Sequence, residues 1–363
     1  MNTVFPEIQK NFGFGFMRLP MTGEQIDTAQ VTQMVDAFLA AGFSYFDTAR
    51  PYHGGKSEEA IRQCLTSRYP RDRYVLADKL SATMYETEEE ILPLFESQLA
   101  ACGVDYFDFY LIHANSAQRH EKYTQTRAYD ILRQLKAEGK IRHIGMSFHD
   151  SARVLDKILT EHPEIDMVQL QINYVDWDDL KIQSRRCYEV CKKHGKPVFV
   201  MEPVKGGTLV NLPEDALKEM KGVSPASYAI RFAAGLPEVA MVLSGMSSPQ
   251  QMQDNLSFMT DFQPLSYAEK QVVERVTAIY QAGNRIPCTG CRYCVEYCYG
   301  QIDIPAVFAR MNDVLEGKPG AEDAYRALDR GADRCVGCDM CSHVCPQGLN
   351  IRMLMNQISR KFW

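Results

Sequence analysis

The sequence predicts an α/β protein built on a (β/α)8 TIM barrel and followed by a small α-helical domain. Two observations predict the barrel: strand-like and helix-like segments alternate from about residue 30 to residue 245, and polar residues follow the strands directly. Repeated units of one strand and one helix form either a closed barrel or an open doubly wound sheet. Two cysteine runs confined to the last fifth of the 363 residues predict the second domain.

The predicted strands are short and apolar throughout, which is typical of a parallel sheet covered on both faces. They span residues 43–47, 74–77, 106–112, 141–146, 167–171, 197–201 and 239–243. A helix that ends near Gly42 precedes the first of them, because glycine suits the left-handed cap of a helix. Further helices are predicted over residues 88–101, 126–138, 151–160, 182–193, 225–234 and 266–280.

Two features favour the closed barrel over the open sheet. The first predicted strand is not followed by the G-x-G-x-x-G motif that marks the dinucleotide-binding open sheet. Side chains at the carboxyl ends of many strands converge only in a closed barrel. The polar residues in that position are Asp47, Lys79, His113, Ser147, Gln169 and Glu202.

Eight of the 12 cysteines form two runs with the same spacing, C-x2-C-x2-C-x3-C. Pro346 follows the second run, as in bacterial ferredoxins. In that pattern three thiolates on a tight loop hold one cubane, and the fourth ligates the other cluster. A disulfide framework or zinc is the alternative, although zinc sites usually consist of separated cysteine pairs. The spacing predicts two 4Fe–4S clusters, one held by Cys288, Cys291, Cys294 and Cys345, the other by Cys335, Cys338, Cys341 and Cys298.

The cysteine runs also indicate the domain boundaries. Residues 1–281 are predicted to form the barrel domain, residues 282–287 a linker, and residues 288–363 the cluster-binding domain. The long gap between the two runs contains helix-like patterns at 306–315 and 321–328, and an apolar helix at 351–362 follows. This arrangement resembles that of α-helical ferredoxins.

Composition excludes several classes of partner. The net charge of −6 provides no basic surface for nucleic acid or an anionic membrane. No apolar run approaches the roughly 20 residues of a membrane span, and no secretion signal is recognised. Thiolate clusters require a reducing compartment, so a cytoplasmic location is expected. The cysteines outside the runs, Cys64, Cys102, Cys187 and Cys191, are interpreted as thiols, the last two as buried small apolar residues.

Four residues can be interpreted as one catalytic unit for reduction of a carbonyl group: Asp47, Tyr52, Lys79 and His113. A developing alkoxide needs a proton donor, and a tyrosine serves if a neighbouring ammonium lowers its pKa. A carboxylate would hold the lysine, and a histidine would bind the substrate oxygen. Taken singly, each residue also has a structural interpretation, as a helix cap, a loop aromatic, a solvated charge or a strand-end histidine.

The chain resembles the aldo-keto reductase family over residues 12–260. The matching segments are 13–20, 46–52, 77–80, 111–114, 144–147, 168–171, 202–207, 244–249 and 254–255. Together with the cysteine domain, the whole chain is similar to the branch of that family that carries a C-terminal ferredoxin-type domain.

This resemblance implies an NAD(H)- or NADP(H)-dependent oxidoreductase with Asp47, Tyr52, Lys79 and His113 as the tetrad and Tyr52 as proton donor. It implies that Ser147 and Gln169 bind the nicotinamide carboxamide and that Asn255 meets the adenine. The segment 202–207 would run beneath the ribose and pyrophosphate. The cofactor-binding residues implied in this way also include Phe16, Met17, Arg18, Asp47, Met201, Glu202, Pro203, Lys205, Gly206, Gly207, Gly245 and Gln251.

The sequence departs from the family pattern at several positions. Phe148 follows the serine where the family often has asparagine, and Met201 stands in place of the stacking tyrosine. Gly245 and Gln251 replace the lysine and arginine that grip the 2′-phosphate of NADP. Loss of these charge-assisted hydrogen bonds favours NAD(H). Lys205 is the obvious cation that remains near the cofactor.

Three functions are compatible with these observations. The first is carbonyl reduction or alcohol oxidation with a nicotinamide cofactor and two accessory clusters. The second is delivery of single electrons from the clusters to a substrate or cofactor in the barrel mouth. The third is a non-catalytic binding subunit that retains the barrel. The expected partners are a small carbonyl or alcohol substrate and, for the clusters, a redox partner protein.

Overall fold

Eight parallel strands close into a barrel in the computed structural model, which describes residues 4–362; residues 1–3 and 363 of the predicted domain ranges lie outside the described residues. Each strand pairs with the next along the chain, and the last pairs with the first. The predicted TIM barrel is therefore confirmed. The strands are β1 (Phe12–Gly15), β2 (Tyr45–Asp47), β3 (Val75–Leu80), β4 (Phe107–Asn115), β5 (Ile141–Phe148), β6 (Met167–Gln171), β7 (Val198–Met201) and β8 (Val239–Ser244).

Helices surround the barrel and bury one apolar face against the strands. In α6 the buried residues Leu155, Ile158 and Leu159 recur at the spacing of one helix face. The helices of this part of the chain are α1 (Thr28–Ala40), α2 (Lys56–Ile61), α3 (Ile91–Cys102), α4 (Ala117–Gln125), α5 (Ala128–Ala137), α6 (Ala152–Glu161), α7 (Ser184–Lys193), α8 (Glu214–Glu219), α9 (Pro225–Ala234), α10 (Pro249–Met259) and α11 (Tyr267–Ala282).

The prediction missed β1, because two glycines interrupt its apolar pattern. The glycine at position 13 is required by packing. A Cβ atom there would lie 2.6 Å from the side chain of Leu243 and 2.9 Å from that of Tyr45. The first strand therefore allows its neighbours to fill the barrel interior.

The predicted helix over residues 126–138 is observed as α5, which begins two residues later, whereas α4 was not predicted. The two helices are separated by Arg127 in the left-handed region with φ 52°. Helix α4 is mostly polar and buries only His120 and Tyr123, so its apolar pattern was too weak to be recognised.

Aromatic side chains close the amino-terminal end of the barrel. Phe5 meets Phe109 at a ring-centroid distance of 5.1 Å and Phe199 at 5.7 Å, both edge-to-face. Tyr45 packs against the same two rings at 5.5 Å. Since this end is filled, polar chemistry is left to the carboxyl end, as in other barrels of this type.

The cysteine-rich segment forms a small helical unit with its own apolar core, which we call the cysteine module (residues 288–362). The predicted helical character is confirmed, while the exact domain boundaries stay a prediction. Cys294 and Cys341 belong to the core, together with Val307 and Phe308. Its helices are α12 (Ile304–Leu315), α13 (Ala321–Arg326), α14 (Met340–His343) and α15 (Ile351–Phe362). Across residues 4–362 we find no helix with the length and apolar character of a membrane span.

Replacement of Gly145 by alanine should destabilise the barrel. The new Cβ would lie 2.5 Å from Sδ of Met167 and 2.6 Å from Cγ of Leu111 in the filled interior. Overpacking of this kind typically costs about 1–3 kcal/mol of unfolding free energy. Gly15→Ala is the matched control, because its nearest neighbour, the Ser244 carbonyl, lies at 3.6 Å. Denaturant unfolding of the two variants would contradict the prediction if their midpoints were equal.

Candidate active site

A cavity of about 370 Å³ opens at the carboxyl end of the barrel. It brings together most of the predicted site residues, from strand ends far apart in the sequence. Those that line it are Met17, Arg18, Asp47, Tyr52, His113, Ser147, Gln169, Met201, Glu202, Pro203, Gly206, Gly207, Gly245, Gln251 and Asn255. Phe16, Lys79 and Lys205 are not among the lining residues.

A buried ion pair lies at the floor of the cavity. Nζ of Lys79 is 2.6 Å from Oδ1 of Asp47 and donates a further hydrogen bond of 2.7 Å to the Thr48 carbonyl. Both side chains are almost fully excluded from solvent. Burial raises the pKa of Asp47, and the charge of Lys79 opposes that shift. Each charge is therefore compensated chiefly by the other.

Tyr52 covers this ion pair. Nζ of Lys79 lies 5.0 Å from the centroid of the Tyr52 ring, within the range of a cation–π contact. Burial raises the pKa of Tyr52 well above its ordinary value, and the charge of Asp47 adds to the shift. Burial is the largest cause of this shift, and the expected lowering of the Tyr52 pKa by Lys79 stays a prediction. Tyr52 is thus a protonated phenol at neutral pH.

His113 is a neutral imidazole beside Tyr52. The two rings meet edge-to-face at 5.8 Å, and Nδ1 of His113 is 2.5 Å from Oγ of Ser81. Burial lowers the pKa of His113 well below its ordinary value, with the charge of Lys79 as the next cause. Because Ser81 occupies Nδ1, Nε2 is the nitrogen left for a ligand.

The two residues predicted to bind the carboxamide, Ser147 and Gln169, differ in their hydrogen bonding. Oγ of Ser147 already accepts a hydrogen bond of 2.6 Å from the Ala114 N–H. Oε1 of Gln169 is buried and has no hydrogen-bond partner within residues 4–362. A buried acceptor in that state is unfavourable by about 1–3 kcal/mol, so it favours a ligand that brings an N–H group.

Phe16 and Lys205 lie behind the lining of this cavity, and their predicted contacts with a cofactor stay predictions. Phe16 is fully buried and packs against Phe14 at 4.8 Å. Nζ of Lys205 lies 2.6 Å from the carboxylate of Asp176 and donates a 2.7 Å hydrogen bond to Oε1 of Gln347. A buried ion pair thus holds this cation inside the protein, and the backbone of Lys205 lies in the left-handed region with φ 47°.

Glu202, at the end of β7, joins the barrel to the cysteine module. Its Oε2 accepts hydrogen bonds from Nε2 of Gln347 at 2.7 Å and from Nε2 of Gln171 at 3.1 Å. Its Oε1 accepts one from Thr289 at 3.4 Å. A Cβ atom on Gly206 would lie 2.4 Å from the Thr289 carbonyl. The segment 202–207, predicted to run beneath ribose and pyrophosphate, therefore contacts the cysteine module.

The first predicted group of cysteines surrounds a single small cavity. Cys288, Cys291, Cys294 and Cys345 line it with apolar neighbours that include Phe308. Four thiols around one enclosed apolar space fit the ligand set of a 4Fe–4S cubane.

The second predicted group is also brought together. Burial raises the pKa of Cys341 to about 11, and the charges of Cys335, Cys298 and Cys338 add to the shift. Cys338 is exposed, whereas Cys341 is buried. The two groups are those expected from ferredoxin-type crossing, and their role as ligands stays a prediction. The cysteines outside the runs are all buried, as predicted for Cys187 and Cys191.

Several residues of the cavity wall were not predicted to lie there, among them Cys291, Tyr293 and His149. Cys291 and Tyr293 reach it from the module, and the Tyr293 ring meets His113 edge-to-face at 6.4 Å. His149 lines it from the barrel; burial lowers its pKa to about 4, and its Nδ1 lies 3.0 Å from Oε1 of Gln171. The sequence carries no signal for a contact between two domains, since that contact depends on how they dock.

Comparison with known proteins supports both parts of this architecture. The model of the Aldo/keto reductase family matches residues 11–280, and that of the 4Fe-4S dicluster domain matches residues 287–350. The NADH-specific methylglyoxal reductase of Escherichia coli is 24% identical over 274 residues, covering 61% of this chain and 81% of that protein. L-galactose dehydrogenase of Arabidopsis thaliana is 25% identical over 295 residues, covering 74% and 90%.

Solved structures share the fold. An aldo-keto reductase from Klebsiella pneumoniae in complex with NADPH superposes with a TM-score of 0.60 at 20% identity, covering 74% of this chain and 90% of that one. The holo form of an aldo-keto reductase from Bacillus halodurans gives 0.60 at 24% identity, covering 75% and 94%. With the family model spanning most of the chain, this protein belongs to the aldo/keto reductase family, as an oxidoreductase whose barrel is followed by a 4Fe-4S dicluster domain.

Proposed function

We propose that this oxidoreductase interconverts a small carbonyl compound and the corresponding alcohol with NAD(H) or NADP(H). The observation that carries the proposal is one cavity lined by Tyr52 and His113, with the ion pair of Lys79 and Asp47 directly beneath the phenol. A relative named as an NADH-specific methylglyoxal reductase supports it. A non-catalytic role is disfavoured, because burying the charges of Lys79 and Asp47 has a desolvation cost that a purely structural role does not explain.

Each residue of the tetrad has a separate role in the proposed acid–base chemistry. When bound, the nicotinamide cofactor supplies the hydride. Tyr52 gives its phenolic proton to the carbonyl oxygen, and its raised pKa keeps that proton in place at neutral pH. The Lys79 ammonium stabilises the phenolate that remains, and Asp47 holds Lys79 in position. Neutral His113 offers Nε2 to the same substrate oxygen. Alcohol oxidation runs through the same groups in reverse.

The polar lining of the cavity supports binding of a nicotinamide dinucleotide. The unpaired Oε1 of Gln169 can accept an N–H of the carboxamide, beside Ser147. At the other end of the cavity, Asn255 donates a 2.8 Å hydrogen bond to Oγ of Ser244. Among the residues lining the cavity, Arg18 is the single lysine or arginine, and its Nη2 already donates to the Thr289 carbonyl at 2.6 Å. This scarcity of cations supports NAD(H) over NADP(H).

We further propose two 4Fe–4S clusters in the module. The enclosed space between Cys288, Cys291, Cys294 and Cys345 supports the first. The second, held by Cys335, Cys338, Cys341 and Cys298, would lie at the surface, because Cys338 and the neighbouring Val336 are exposed.

Tyr52→Phe should reduce nicotinamide-linked carbonyl reduction by about 10²–10⁴-fold, because the variant loses its general acid. The affinity for the cofactor should change little, since the ring remains. Steady-state kinetics and cofactor titration check both expectations. Tyr267→Phe, at a tyrosine that is 79% exposed, is the control and should retain full activity. Undiminished turnover in Tyr52→Phe would refute the proposed role.

Cys298→Ala should damage the second cluster more than the first. The crossing assigns Cys298 to the group of Cys335, Cys338 and Cys341, so about half of the bound iron should be lost. Iron analysis and electron paramagnetic resonance of the anaerobically purified protein measure this. Cys187→Ala, at a buried cysteine outside the runs, should keep its full iron content. Selective loss of the first cluster's signal would contradict the crossing.

A second candidate function is favoured by the position of Cys291. This residue lines both the cavity of the first cysteine group and the cavity of the barrel. The juxtaposition supports direct electron exchange between the first cluster and a ligand in the barrel mouth. Two reduced clusters would provide two electrons for one carbonyl group, while Tyr52 and solvent provide the two protons. A redox partner protein would reload the clusters at the exposed side of the module.

Reoxidation of the clusters separates the two functions. The holoenzyme is reduced anaerobically, freed of excess reductant and mixed with the carbonyl substrate in the absence of nicotinamide. If electrons pass directly, the visible absorption of the oxidised clusters should return at least as fast as turnover. Clusters that stay reduced while nicotinamide-linked turnover proceeds would exclude this function and leave the first.

A further inference from the structure

Two histidines and a glutamate meet among the helices outside the barrel. His120 belongs to α4, Glu161 is the last residue of α6, and His162 follows it directly. One ring nitrogen of each histidine and a carboxylate oxygen of Glu161 lie within 4.8 Å of one another. Nε2 of His120 is 3.1 Å from Oε2 of Glu161, and the two imidazole rings meet at a centroid distance of 5.6 Å. None of the three residues lines the cavity of the barrel.

A single tyrosine holds both imidazole rings in place. The hydroxyl of Tyr129 is 2.9 Å from Nδ1 of His120, and it accepts a 2.9 Å hydrogen bond from Nδ2 of Asn115. The Tyr129 ring stacks on the ring of His162 at a centroid distance of 3.6 Å and an interplanar angle of 13°. Tyr129 itself is buried. Because both rings are already fixed, little conformational freedom is lost when a ligand binds between them.

A carboxylate supports the second histidine. Oε1 of Glu164 is 3.1 Å from Nδ1 of His162 and accepts a 2.7 Å hydrogen bond from Nη1 of Arg133. Metal-binding histidines almost always bond a carboxylate, a carbonyl or water through their other nitrogen. Each histidine of this group has an oxygen atom next to its Nδ1, which assigns metal binding to Nε2.

The surroundings of Glu161 leave one side of the group open to solvent. Its Oε1 lies 3.7 Å from Nζ of Lys157, so Oε2, which faces His120, is the oxygen that a metal ion would take. The Glu161 side chain is 44% exposed, so water can reach a fourth coordination position. A simple ion pair of His120 with Glu161 is the alternative, but it does not account for the approach of His162.

We propose that His120, Glu161 and His162 bind one divalent transition-metal ion such as Zn²⁺, with water as the fourth ligand. Two imidazoles and one carboxylate are among the ligand sets of zinc sites that retain a water molecule. The ion would join α4 to the end of α6. Helix α4 also carries Tyr123, whose hydroxyl donates a 2.8 Å hydrogen bond to the His113 carbonyl. The ion would therefore stabilise a helix that supports the strand end of His113, without taking part in the reaction.

Titration of the full-length, cluster-loaded protein with ZnCl₂ tests the site. Calorimetry should show one ion bound per chain with no loss of iron, which separates this site from exchange at the cysteines. Glu161→Gln and His162→Gln should each weaken Zn²⁺ binding by at least about tenfold, because loss of an outer partner alone costs about 10–100-fold. His194→Gln is the matched control and should keep the wild-type affinity. Its Nε2 also faces a carboxylate, that of Asp156 at 2.6 Å, and its side chain is 17% exposed, against 16% for His162.

Thermal unfolding gives a second measurement. Zinc should raise the unfolding midpoint of the wild type and of His194→Gln, since an ion that binds the folded state alone stabilises it. The midpoints of Glu161→Gln and His162→Gln should not respond. Equal zinc affinity in all four proteins, or no zinc binding by the wild type, overturns the inference. Zinc uptake that displaces iron and is unaffected by Glu161→Gln and His162→Gln also overturns it, because the ion then binds at the cysteines.

Discussion

The register of the closed barrel is the constraint on which the site depends. Asp47 pairs with Ala77 on β3, two residues before Lys79, and Lys79 pairs with Leu111 on β4, two residues before His113. From each strand to the next, the polar residue therefore lies two residues further toward the carboxyl end. This stagger follows from the shear of a barrel. It places a carboxylate, an ammonium and an imidazole on three neighbouring strands at the carboxyl end of the barrel. A slip of one residue in any of these strands would turn the side chain out of the barrel.

A second constraint comes from the joint between barrel and module. The Gln347 amide donates to Glu202 and accepts from Lys205, and Lys205 in turn is paired with Asp176. Both Gln347 and Thr289 are nearly fully buried. Since a buried polar group without a partner is costly, the joint favours one orientation of the module over others. That orientation is what brings Tyr293 and Cys291 to the barrel.

The parts of the site that could be predicted are those set by local spacing or by strand ends. The two cysteine groups follow from their spacing. Asp47 and His113 follow from their positions at strand ends, and Tyr52 from its place in the loop after Asp47. Lys205 shows the limit of this reasoning, because its ion pair with Asp176 joins two loops that no sequence pattern relates. The first strand was missed for a similar reason: its glycine makes room for side chains of other strands. The position of Tyr293 in the barrel cavity could not be predicted, because it depends on how the cysteine module docks onto the barrel. Local sequence patterns contain no information about that docking.

The contact between Gly206 and Thr289 limits how such proteins can be recombined. Any side chain at position 206 would collide with the backbone of Thr289, and Thr289 is the direct neighbour of Cys288. A module grafted onto a related barrel would therefore seat correctly only where that barrel has glycine at the equivalent position. The two domains therefore cannot be exchanged independently between related proteins, because the contact between them requires glycine at position 206 of the barrel.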